Sequence, residues 1–168
     1  MAADFTWSGT YGTSGVPTTV DLGENDNLFN YKNLNSLADP NDYQSYPITK
    51  GNNSYEVWLR GHFTGIFNKI WNVKVYKTSG TLGTGESIKF AGTTEVYVTP
   101  VATASTIAIT DISEVLPSSA NVSIGGDLAG ELIAAGYTDY IVTQLQTTVS
   151  AETDDTELFN LMIYYYEN

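Results

Sequence analysis

A two-residue hydrophobic alternation restricts this chain more than any other feature. In residues 71–76, Trp71, Val73 and Val75 share one parity, and Asn72, Lys74 and Tyr76 share the other. In residues 55–64, Tyr55, Val57, Leu59 and Phe63 oppose Glu56, Trp58, Arg60 and His62. That period sends successive side chains to opposite faces of a strand. A helix needs spacings of three and four, which neither run shows. Residues 70–100 are the densest case, with a run at 71–76, a Gly/Thr/Ser turn region at 78–85, a short run at 87–90 and another run at 95–98. This stretch reads as the middle of a β-sandwich and contains nothing catalytic.

Composition agrees with that class. The 168 residues include 12 Tyr, 6 Phe, 3 Trp and 15 Gly. Aromatic and β-branched residues suit half-buried pleated surfaces, and glycine suits many turns. The expected fold is one all-β domain over residues 1–168, an antiparallel β-sandwich of jelly-roll or Ig-like type. Roughly eight strands fit the pattern.

Residues 1–22 read as an extended N-terminal arm or as edge strands, with Phe5 and Trp7 alternating with polar neighbours before a Gly-rich break. Residues 23–54 read as a long loop pinned by aromatics, with one helical turn near 33–38. Loops this long in compact domains are often functional. Residues 105–110 continue the strand pattern, 111–117 connect, and 121–139 favour irregular or β structure over a short helix. Residues 140–149 and 157–167 read as two strands of an antiparallel hairpin joined by an acidic turn. In the last strand Phe159, Leu161, Ile163 and Tyr165 share a face. Tyr164, Tyr165 and Tyr166 cannot all point inward, so at least one faces water or a partner.

The formal charge is −12, from 7 basic and 19 acidic residues. Such a surface repels phosphate backbones and argues against nucleic-acid partners. It also keeps a protein soluble. There is no cysteine, so disulfides and thiolate chemistry are excluded. No apolar run approaches the roughly 20 residues of a membrane helix. The first residues read as no signal peptide.

Candidate sites are few. His62 is the lone histidine and reads as a surface strand residue. No catalytic or cofactor-binding residue is expected, and the chain does not read as an enzyme. Calcium candidates are Asp21, Glu24 and Asp26, with Asn25 and Asn27 adding oxygens, although the spacing of an EF-hand is missing. Two further acidic groups, Asp39/Asp42 and Glu152/Asp154/Asp155/Glu157, read as solvated turn charge. Candidate interface residues are Phe5, Trp7, Tyr43, Tyr46, Trp58, Tyr164 and Tyr166.

Several segments carry a resemblance: SYEVWLRGHFTGIFNKIWNVKVYKTSGTLGTGESIKF, then EVYVTPVATASTIA, then TDYIVTQLQTTVSAE and the terminal FNLMIYYYEN. Together they resemble a family of bacteriophage virion structural proteins, capsid-associated or minor structural components. The resemblance spans residues 54–168 and rests on shape-carrying motifs. It implies a β-sandwich on a virus particle, assembled in the host cytoplasm. It implies homo-oligomeric contacts, and contacts with other virion proteins such as the major capsid protein. It implies no enzymatic role. On this reading the N-terminal arm adds a strand to a neighbour, and deleting residues 1–15 abolishes assembly while leaving the domain folded. The alternative is a carbohydrate-binding β-sandwich module, calcium-assisted, with Trp58, Tyr43 and Tyr46 as its sugar platform.

Overall fold

The computed structural model describes residues 2–23, 28–152 and 159–168. Among these described residues, ten strands and one short 3-10 helix follow in order. They are β1 (Ala3–Thr13), β2 (Val16–Gly23), the helix (Pro40–Ser45), β3 (Val57–Gly65), β4 (Ile70–Thr78) and β5 (Glu86–Thr94). After them come β6 (Thr110–Asp111), β7 (Glu131–Leu132), β8 (Gly136–Tyr137), β9 (Tyr140–Thr147) and β10 (Asn160–Glu167). All pairings are antiparallel. A large sheet has the order β2-β1-β3-β9-β5-β6, with β8 also on β3, and a small sheet has the order β10-β4-β7. The all-β sandwich expected from the alternation is the fold observed.

The two sheets enclose one apolar core. Trp7, Val57, Leu59, Phe63, Ile88, Phe90, Ile141 and Leu145 reach it from the large sheet, and Ile70, Val73 and Val75 from β4. Leu161, Ile163 and Tyr165 of β10 pack against it. Gly61 sits among the inward residues of β3. A Cβ there would lie 3.2 Å from both Ile163 Cδ1 and Phe5 Cε2, so glycine lets β10 approach the large sheet.

Several elements depart from their sequence expectation. The N-terminal stretch is not an arm but two strands of the large sheet: β2 forms its edge, and β1 is an interior strand, held by β2 on one side and β3 on the other. Phe5 and Trp7 alternate as expected, but toward the chain's own core. The Phe5 ring lies 5.3 Å from Phe63 with the planes tilted by 54°, and Trp7 is only 2% exposed. Deleting residues 1–15 would therefore remove core and not a detachable contact. Trp71 does not share a face with Val73 and Val75. Asn72 takes a left-handed φ of 54°, and the β10–β4 register slips beside it. That extra residue turns Trp71 outward, where Tyr166 meets it.

Residues 95–98 form no strand but an extended strap, and of residues 105–110 only Thr110 is in a strand. The last two strands are not a hairpin. β9 lies between β3 and β5, and β10 pairs with β4 in the other sheet. The helical turn of the long loop falls at residues 40–45 instead of 33–38. Asp39 caps it by accepting from the Asn41 N–H at 2.8 Å, and Pro40 opens it.

Loop residues 28–54 are pinned by aromatics as expected. Tyr31 stacks on Phe159 at 6.0 Å, Phe29 meets Tyr31 edge-on at 5.4 Å, and Leu37 is buried. Lys32 is buried as well, its ammonium donating to the Asp39 carbonyl and to the Asp42 carboxylate. One edge of β4 is finished by a side chain. The amide of Asn121 accepts from Val75 N–H and donates to the Val75 carbonyl, both at 2.8 Å, replacing a missing strand partner.

Candidate functional surfaces

Two sheet faces point away from the core and carry aromatic side chains. The first is the outward face of β3. Trp58, Arg60 and His62 alternate along it with the inward residues. The strap at residues 95–103 crosses this face and buries Trp58 completely, at 0% exposure. Trp58 meets Tyr97 edge-on at 5.1 Å and Tyr140 at 5.5 Å. Its indole N–H donates to Glu56 Oε2, which also accepts from Val101 N–H. Tyr97 reaches across to the β1–β2 hairpin and donates to the Gly12 carbonyl at 2.7 Å. Gln144 ties the strap from below by donating to the carbonyls of Val101 and Thr103. Burial, with the neighbouring Tyr140 and Glu56 adding to it, pushes the Tyr97 phenol well above its ordinary range. Burial does the same to Tyr31 in the core. Beyond the strap the row continues outward as Arg60, Tyr137 and His62.

The second face belongs to β10 and β4. Along β10 burial alternates residue by residue, so Phe159, Leu161, Ile163 and Tyr165 pack inward as expected. Met162, Tyr164 and Tyr166 face out, and the two tyrosines are 39% and 42% exposed. Tyr164 and Tyr166 meet at 5.7 Å with planes 73° apart, and Tyr166 meets Trp71 at 5.6 Å and 74°. Lys74 and Lys69 place their ammonium groups over Tyr164 and Trp71, at 5.8 Å and 5.0 Å. Lys74 is itself buried and donates to the Ser118 carbonyl at 3.1 Å, so the segment around Ser118 borders the β4 side of this face, while Met162, Tyr164 and Tyr166 of β10 stay exposed. β10 is also an edge strand, with no described strand on its far side.

The remaining candidates separate. Trp58 and Trp7 are buried in their own domain and offer no contact surface. Tyr46 is exposed at the C-cap of the 3-10 helix and Tyr43 is half-buried within it, and Trp58, fully buried, joins neither in a platform. Asp21 closes its own turn by accepting from Gly23 N–H, while Glu24 and Asp26 lie outside the described residues. Asp39 and Asp42 are spent on the helix cap and on Lys32. Of the third acidic group, only Glu152 is described. Among the described residues no three His, Cys, Asp or Glu side chains gather to hold a metal. No described helix is long and apolar enough to cross a membrane. Sequence reasoning missed the Arg60–Tyr137–His62 row, because Tyr137 arrives from a two-residue strand 75 positions after His62. The lone arginine and lone histidine two residues apart were the available signal.

No family model, no curated protein and no solved structure matches the chain.

Proposed function

We propose that this protein is a non-enzymatic structural subunit of a bacteriophage particle, of the capsid-associated or decoration kind. It binds other copies of itself and other virion proteins. The observation that carries the self-association is β10. Its sequence NLMIYYYE has high strand propensity, no proline, and no charge before Glu167. It sits at a sheet edge with Met162, Tyr164 and Tyr166 outward. Exposed edges of this composition pair with other strands unless something blocks them. The β2 edge of the large sheet is guarded by contrast, because β2 carries Pro17 and Asp21. Association through β10 would be two-fold, strand beside antiparallel strand, with the tyrosines of both copies on one continuous face. The same face is a poor sugar platform, because adjacent rings stand nearly perpendicular and share no plane. The virion assignment itself rests on the resemblance over residues 54–168.

Light scattering behind a sizing column, at several concentrations, tests the self-association. A defined oligomer is expected for the natural chain, and a folded monomer for Met162→Lys/Tyr164→Lys, which places charge on the exposed strand. A monomer at every concentration for the natural chain overturns the reading.

A further inference from the structure

We propose that Arg60, His62 and Tyr137 form a binding site for a carboxylate-bearing sugar, on the outward face of the large sheet beyond the strap. Arg60 is the chain's one arginine and His62 its one histidine, in a chain of formal charge −12. The Arg60 guanidinium lies 4.9 Å from the Tyr137 ring and 4.8 Å from the Tyr140 ring. Its Nε donates to the Thr138 carbonyl at 2.6 Å. The His62 ring lies flat on Tyr137, with centroids 4.1 Å apart and planes 8° from parallel. Two ring contacts and one backbone bond thus fix the guanidinium in place.

The polar atoms of this row are unspent. Among the described residues no carboxylate pairs with Arg60, whose terminal nitrogens have no protein partner. Neither imidazole nitrogen of His62 and no hydroxyl of Tyr137 is hydrogen-bonded within the described protein. Side chains held rigidly with donors unused are preorganised for a ligand. A fixed guanidinium presents two N–H groups along one edge, which matches the two oxygens of a carboxylate. Tyr137, 39% exposed, adds a hydroxyl and an apolar ring edge beside them. That mixture fits the alternating C–H and O–H surface of a sugar ring.

The acids nearby do not compete for Arg60. Asp139 is buried and accepts from Ser123 Oγ and from Gly126 N–H. Glu56 is held under the strap by Trp58 and Val101. Asp21 lies two strands away through Ser8, which by strand spacing is about 10 Å.

The test is a titration of the full chain, read by amide NMR, with galacturonate, its neutral methyl ester, and an oligoglutamate peptide. Galacturonate is expected to shift β3 and residues 136–140, with the ester about tenfold weaker or worse. Arg60→Gln is expected to lose the same factor. That substitution also breaks the bond to Thr138, so Tyr137→Ala serves as a second variant. The acid–ester pair requires no variant at all. Equal binding of acid and ester, shifts confined to other residues, or binding of the peptide alone overturns the proposal. The self-association reading is unaffected by any of these outcomes, because β10 lies in the other sheet.

Discussion

The outward faces of β3 and β10 both carry large aromatic side chains at alternate positions, yet Trp58 is fully buried and Tyr164 and Tyr166 are well exposed. The difference lies in what crosses each face. Residues 95–103 run over β3 and are fastened at the far side by Tyr97 on Gly12 and by Thr99, which accepts from Ser14 N–H at 2.8 Å. Along β10, Met162, Tyr164 and Tyr166 stay 39–42% exposed, and only the neighbouring Lys74 of β4 is covered, by the segment around Ser118. Alternation therefore sorts side chains into two faces, and a distant segment then decides whether the outward face is interior or surface. One face has become a second layer of core. The other keeps its tyrosines at the surface.

This contrast can be broken in several ways. The largest effect is expected from removing residues 1–15, which takes out interior strand β1 with Trp7. Circular dichroism and thermal melting should report loss of the folded domain, and a cooperative melt in that variant would mean β1 is dispensable. Trp58→Ala comes next. Emptying a fully enclosed aromatic site costs about 3–5 kcal/mol, so the melting temperature should fall sharply. Tyr166→Ala, on the open face, should cost under about 1 kcal/mol of monomer stability while weakening association. If the two alanine variants lose similar stability, the faces are not finished differently.

An effect between those of the two alanine variants is expected at the edge of β4. Asn121→Ala leaves the Val75 N–H and carbonyl without their partner and should cost about 1–3 kcal/mol by denaturant unfolding. The smallest concerns pH. Tyr97 and Tyr31 titrate above their ordinary value of about 10 when folded. Below that value both states are neutral and no stability is at stake. Above it the unfolded chain loses protons that the folded chain keeps, so stability falls as pH rises beyond about 10. Tyr97→Phe should flatten that alkaline loss while costing about 1 kcal/mol at neutral pH, from the bond to Gly12. An unchanged slope above pH 10 would show that the strap leaves the phenol open to water.

Much of the fold was legible where local pattern and final environment agreed. The inward set of β3, the inward set of β10, strand β9 and the irregular 121–139 region all follow from alternation and turn chemistry. Residues 71–76 show where local reading fails. A single left-handed residue, Asn72, shifts the parity of Trp71, and asparagine at that position leaves no distinctive trace in a hydrophobicity pattern. The candidate surfaces were half legible. The exposure of Tyr164 and Tyr166 follows from three adjacent tyrosines on a strand, whereas Trp58 gives no sign that residues 95–103 will cover it.

The sequence by itself determined the class: a cysteine-free, acidic, antiparallel β domain whose strands each have an apolar side, because the two-residue period is written locally. Only the tertiary structure decided which strands became neighbours, that β9 and β10 lie in opposite sheets, and that Arg60 meets Tyr137 and Tyr140. Those outcomes depend on contacts between residues tens of positions apart. Their energy is paid back only when the whole core closes, and no short stretch of chain records it.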